Sequence, residues 1–388
     1  MAGFLKSQTG LNWRAAALLG LISSTFSTLV SQFLAARIGR DAVVDWMVVA
    51  TIPLRDGMLQ SEPSWSSIAA GILFHQWADF SWALVFFGLF GRWTADLKPQ
   101  TLLLIALPWA LFTSALEWFS LVPLIPFWQP IFTLNQPYWI GFLVHALSAM
   151  MYPLFPWLRD WLRGRLPSRH GRFTAVWSGL SAVTLLALGF VALLGWQNRE
   201  LPWMGENPAF DQSYMRRMAA HHAQGVELAR LAVEKAQDPY LKNLAHLMAA
   251  DQKGEIAIFQ QWWRSWFAGG LPPASPEEHA SMPGMLSPAQ MDSLRGANGN
   301  AFDPLFISLM TTHHQGAILM ADRALRGASD LRLRLMAHAT RHAQRGEIEL
   351  MHGSQGFAAV KSATLSLLLP AGEARADQRG AAPSMHAH

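Results

Sequence analysis

The sequence predicts an all-α protein in two parts: a five-helix transmembrane bundle, then a four-helix bundle made of two repeated helical hairpins. Three observations carry this. Five segments are long and apolar enough to span a bilayer, histidine and methionine gather in the second half, and that half repeats itself at an interval of 92 residues, Met218 to Met310.

Composition separates the two parts. Hydrophobic residues make up 51% of the chain and charged ones 14%, too apolar for a soluble protein of this size and too charged for a pure membrane channel. Of the 14 histidines 11 follow residue 200, as do 12 of the 17 methionines, whereas most tryptophans precede it. Cysteine is absent, so any metal must be held by nitrogen, oxygen or thioether. The net charge of +4 and pI near 9.6 do not indicate nucleic acid, because the arginines scatter and form no basic stripe.

A hydrocarbon core about 30 Å thick needs roughly 20 apolar residues in helix. Residues 11–36, 65–91, 101–123, 138–158 and 174–196 meet that test and make 1–198 the transmembrane domain. The first span reads as a retained anchor, since no small-residue cleavage motif follows it. The apolar stretch 42–54 is too short to cross and carries Asp45, which fits an interfacial or re-entrant segment. Lys6, Arg14, Arg92, Lys98 and the loop holding Arg159, Arg163, Arg165, Arg169 and Arg172 fall on one side, whereas 124–137 contains no Lys or Arg. By the positive-inside rule the N-terminus is cytoplasmic and the second half lies outside, at a bacterial inner membrane facing the periplasm. His75, Asp79, Glu117 and His145 sit in or near spans, where charge is costly. They form either an ion or proton path or hydrogen-bonded structural pairs; His75 and Asp79, four apart, share a helix face.

After a linker at 199–209, the repeats occupy 210–263 and 302–355, joined by a connector at 264–301. The shift places Phe210-Asp211 on Phe302-Asp303, His221-His222 on His313-His314, Asp238 on Asp330, and Gln252-x-Gly254-Glu255-Ile256 on Gln344-x-Gly346-Glu347-Ile348. Proline and glycine near Asp238 and Asp330 break each unit into two helices. At 100° per residue Met218, His221 and His222 share one face, continued by the small Gly225, Ala229 and Ala232. Met310, His313 and His314 repeat it above Ala317, Ala321 and Ala324, with Met320 near its edge. The partner helices present Leu244, Met248, Gln252 and Glu255, and Met336, Thr340, Gln344, Glu347 and Met351, supplying oxygens that orient or supplement ligands. His246, His338 and His342 fall off this stripe and are expected at the surface or at secondary sites.

Methionine at helical spacing is usually core filler, but two adjacent histidines after a methionine, twice at equivalent positions, point to a metal. Thioether with imidazole and no thiolate suits copper, as Cu(I) or Cu(II), over zinc or iron. A di-iron carboxylate centre needs paired Glu-x-x-His motifs, and only Glu349-x-x-His352 exists. Met282 and Met285 in the connector are spaced for a soft ion, or are incidental to a Pro/Gly turn. The tail, 357–388, reads as disordered, with Met385, His386 and His388 a weak chelator.

The run Met282-Pro-Gly-Met285, Phe302-Asp303, Met310-x-x-His313-His314-Gln315-Gly316-Ala317, Met320-Ala321 and Gln344-x-x-Glu347-Ile348 resembles the family known as domain of unknown function 305, which includes CopM-like periplasmic copper-binding proteins. The first repeat fits less closely, with Leu228 where the second has Met320. The resemblance covers about 206–356. It implies a ferritin-like four-helix fold, a place outside the cytoplasm, copper binding, and Met218, His221, His222, Met310, His313, His314 and Met320 as ligands. The expected function is membrane-anchored copper buffering, sequestration or hand-over to a partner protein, with no catalytic step. Metal transport through the spans and a metal-dependent oxidase are the alternatives.

Overall fold

The computed structural model of the protein describes residues 2–94 and 96–368. Among the described residues all regular structure is helical, without strands. The first half contains α1 (Ala2–Leu34), α2 (Ala42–Leu54), α3 (Trp65–Leu84, continued by a π turn to Leu89), the short α4 (Gly91–Thr94), α5 (Pro99–Leu116), α6 (Pro130–Asn135), α7 (Tyr138–Ala149), α8 (Phe155–Leu162) and α9 (Gly171–Trp196). The second contains α10 (Pro208–Lys235), α11 (Pro239–Trp266), α12 (Pro276–Ala280), α13 (Pro288–Gly296), α14 (Phe302–Gly327), α15 (Leu331–Met351) and α16 (Gly356–Leu368).

Five helical stretches are long and apolar enough to cross a membrane: Gly10–Ile38, Trp65–Leu89, Pro99–Leu121, Tyr138–Leu162 and Gly171–Trp196. The fourth is broken between α7 and α8, where Pro153 and Pro156 remove backbone donors. Residues 42–54 form the helix α2, started by Asp41, whose carboxylate accepts from the Val43 and Val44 amides. This helix lies along α3 so closely that a Cβ on Gly71 would come within 2.0 Å of the Trp46 carbonyl.

Local chemistry sets the repeat boundaries. Asp238 and Asp330 cap α11 and α15, each accepting from the amide two residues on, which satisfies an orphan donor of the first turn. The matched aspartates Asp211 and Asp303 then reach across the duplication. Asp211 accepts from the Ser329 and Asp330 amides at 2.8 and 3.1 Å, and Asp303 from the Gln237 and Asp238 amides, both at 2.9 Å. Each repeat therefore ties down the turn of the other, and α10 and α14 run antiparallel. Consistent with this, the first half of α10 shares a core with the last half of α14, and the reverse halves share a second core.

The second half sits on the ends of α1, α5 and α9 and on the segments between spans. The matched glycines Gly254 and Gly346 face those segments: a Cβ would meet Asp41 at 2.8 Å in one case and the Leu134 carbonyl at 2.0 Å in the other. Arg40, 4% exposed, bonds Asp45 at 2.6 Å and reaches Asn135, which donates to Asp251 at 2.6 Å. Arg37 pairs with Glu200 at 2.8 Å. The expected disordered tail is corrected in part: Gly356–Leu368 forms α16, which buries Ala359, Ala363 and Ser366. Met385, His386 and His388 lie outside the described residues.

Candidate metal centre

Crossing α10 and α14 antiparallel brings all four paired histidines into one layer at mid-bundle. His221, His222, His313 and His314 are each 0% exposed. The rings of the equivalent pair His221 and His313 face each other between α10 and α14, with centroids 3.9 Å apart and planes tilted by 32°. Gly225 permits this approach, since a Cβ there would lie 2.8 Å from the His313 ring and 2.0 Å from the Gln252 oxygen.

Each remaining imidazole meets a carboxylate of its own repeat. His222 Nε2 bonds Glu255 at 2.6 Å, and Thr340 donates to the same carboxylate at 2.8 Å. His314 Nε2 lies 2.6 Å from Glu347, though out of line for a good hydrogen bond. His313 Nε2 donates to the His221 carbonyl at 3.0 Å, and His221 Nε2 donates to the Pro283 carbonyl at 3.1 Å. With Nε2–H spent on carbonyls, Nδ1 of His221 and His313 carries the lone pair. The Nδ1 atoms of all four histidines are buried without a partner, as are both amide atoms of Gln252, Gln344 Oε1 and Glu347 Oε1.

Burial governs the charge of the layer. It holds His221 and His314 down to about 3, with His222 adding like-charge repulsion, and His313 well below its ordinary value. Glu347 is pushed up to about 8 by burial and by neighbouring Glu255. His221, His313 and His314 are thus neutral nitrogen donors, with the carboxyl groups of Glu255 and Glu347 beside the layer.

The methionines divide. Met218 and Met320 lie with Met282 in one core, and Met285 packs against it; Met310, Met248 and Met351 lie in the other. The imidazole layer therefore has a thioether layer on either side. The connector crosses the first of these, its Pro283 carbonyl pressed against Gly316, where a Cβ would come within 2.0 Å. Among the described residues no three His, Asp or Glu side chains converge at metal-ligand geometry. Off the stripe, His246 and His338 are half-buried, and Trp139 donates to His338 at 3.2 Å. His342 departs from the expected surface position. It is 2% exposed and donates to the Thr133 carbonyl at 3.1 Å, because α15 is covered on a second face by α6.

The first-half residues also come together. His75 bonds Ser27 at 3.1 Å and Asp79 lies 3.6 Å away. His145 pairs with Glu117 at 3.1 Å and with Thr113 at 3.0 Å. His75, Glu117 and His145 border one chamber of about 110 Å³, whose lining also includes Asp45 and Gln136. Sequence reasoning missed Arg40, Asn135 and Asp251, which link the halves; the only signal was the unexplained recurrence of glycine at 254 and 346.

Together these features define a helical bundle with a buried histidine and methionine centre, joined to five long apolar helices. Residues 211–354 match the family described as Domain of unknown function (DUF305), and the preceding part matches no family. No curated protein matches the chain. Similar solved structures include a DUF305 fragment from Deinococcus radiodurans, 29% identical, covering 39% of this chain and 97% of that one, with a TM-score of 0.35. CopM in its Cu(I)-bound form is 30% identical over 37% of this chain and 92% of its own, TM-score 0.32. CopM in its Cu(II)-bound form is 30% identical over 37% and 93%, TM-score 0.33.

Proposed function

We propose that this protein is a membrane-anchored copper-binding protein that holds copper on the outer face of a bacterial inner membrane and buffers it or hands it on. The observation that carries the reading is the set of four buried, unpartnered imidazole Nδ1 atoms between two thioether layers. A buried polar atom without a partner costs about 1–3 kcal/mol, and a cation is the partner that lone pairs and thioethers share. Imidazole accommodates both oxidation states of copper and thioether favours Cu(I), whereas zinc rarely accepts methionine. Met218, His221, His222, Met310, His313, His314 and Met320 are the ligand set. Gln252, Glu255, Gln344 and Glu347 orient the imidazoles or take released protons, and Met282 and Met285 line the approach. Binding requires rotation of imidazoles, because no three converge as they stand.

The second half packs at the chain ends of α1, α5 and α9, opposite the arginine-rich segment 163–172, which supports a cytoplasmic N-terminus. The test uses the full chain in lipid nanodiscs, offered Cu(I), Zn(II) and Fe(II) in competition and analysed for bound metal. Copper should be retained, and lost when His221, His222, His313 and His314 are all changed to alanine. Equal copper in that variant, or preference for zinc or iron, sinks the reading. A phosphatase fused after Trp203 should be active if this end is outside.

A further inference from the structure

The chamber in the first half is not explained by metal binding in the second. Its walls come from α1, α2, α3, α6 and α7, and they are mainly apolar, with the rings of Trp46, Phe74 and Phe132 among them. Polar groups enter it at two depths. Asp45 and Gln136 belong to the segments that touch the second half; Gln136 donates to Asp45 at 2.6 Å, while its oxygen, in a residue 4% exposed, has no partner. His145 lies two turns along α7, roughly 10 Å further in at 1.5 Å per residue, and shares the inner end with His75 and Glu117.

A metal ion is a poor occupant, because the buried Arg40 stands beside Asp45 and Asn135 at the outer end, so a cation leaving the histidine layer would meet a like charge. An apolar pocket with a few convergent polar groups is the usual form of a small-molecule site. A volume of about 110 Å³ is roughly three-quarters of the 150 Å³ of a cavity that holds benzene, so a six-membered ring enters with one edge in the open α7 wall. The α7 wall, Ile140, Leu143 and Leu147, is only half-buried, which gives access from the lipid side.

We propose that this chamber binds the head ring of a lipid-soluble quinol, one hydroxyl donating to the unpartnered Gln136 oxygen at the outer end and the other bonded by His75 at the inner end. The inference rests on the first half lying in a bilayer, which membrane fractionation of the full chain tests separately. In nanodiscs kept under reducing conditions, a short-tailed benzoquinol should bind saturably, one per chain, and quench a tryptophan signal that is absent from Trp46→Phe. Trp46 is the reporter because its ring lies 5.3 Å from that of His75. His75→Leu and Gln136→Leu should each weaken binding about tenfold, the scale of one buried hydrogen bond. Gly141→Leu keeps every polar group and meets nothing within 4 Å at its Cβ, so it should fold normally and block the ring, while His313→Ala should bind as the parent does. Absence of saturable binding, equal binding in the three chamber variants, or Co(II) uptake lost with His75→Leu would each overturn the proposal, the last by making the chamber a cation site.

Discussion

Single residues decide how closely the parts of this chain approach. Gly346 has a backbone carbonyl where a Cβ would go, and a carbonyl in a helix cannot swing aside. Gly346→Ala should therefore cost about 1–3 kcal/mol, the range for overpacking, and loosen α6 from α15. Differential scanning calorimetry checks the first and protease sensitivity near Pro130 the second; Gly270→Ala, which meets nothing within 4 Å, serves as the control. An unchanged melt for Gly346→Ala would show that the two halves do not press together there. The paired histidines were legible because two imidazoles after a methionine, twice over, have no packing rationale. Gly254 and Gly346 were visible in the same alignment of repeats, but a glycine marks close approach without saying to what.

At the level of helices, burial of imidazoles in the second half makes stability depend on pH in a definite direction. His221, His314 and His342 are held down to about 3, chiefly by burial, whereas unfolded histidine takes up a proton near 6.5. Their contribution is complete above about pH 6.5 and is lost as pH falls toward 3, at up to about 1.4 kcal/mol per pH unit for each. Glu347, raised to about 8, acts oppositely: its contribution is complete below about 4.5 and gone above 8. Buried imidazoles held down in this way, His313 among them, outnumber the raised carboxyls, which predicts greatest thermal stability near pH 6.5 and a falling melting temperature below it. A melting temperature that rises steadily from pH 6.5 to 5 would contradict the neutral, buried layer. The helix pairs themselves followed from the repeat and its Asp breaks. The split of Met218 from Met310 did not, because the antiparallel crossing is set by the Asp211 and Asp303 exchanges between repeats, and single-helix periodicity carries no record of them. His342 was misplaced for a related reason, since one apolar stripe per helix was assumed and α15 is buried on two faces.

Across the whole molecule, Arg40, Asp45, Asn135 and Asp251 join the apolar helices to the histidine bundle through buried polar groups. Removing one partner of a buried pair costs about 3–5 kcal/mol because the other charge is stranded. Arg40→Met should lower stability by that order; adding Asp45→Asn, at the partner left behind, should recover part of the loss, and a double-mutant cycle with no coupling would dismiss the pair. Span positions were readable from hydropathy alone, within a few residues. The junction was not, since it is assembled from residues 40, 45, 135 and 251, each unremarkable in its own neighbourhood.

The carbonyl of Pro283 occupies the place that the backbone of His313 would fill if the bundle were perfectly symmetric, so the duplicated halves are chemically unequal. One imidazole is fastened to helix backbone, which opens only by unwinding, and its twin to a surface loop, which opens by peeling away. Cargo should consequently enter and leave by the His221 door, with its counterpart acting as the slower vault. Amide exchange at Met282–Leu286 that slows on copper loading, with no change along α10, would be the signature of that one-sided traffic.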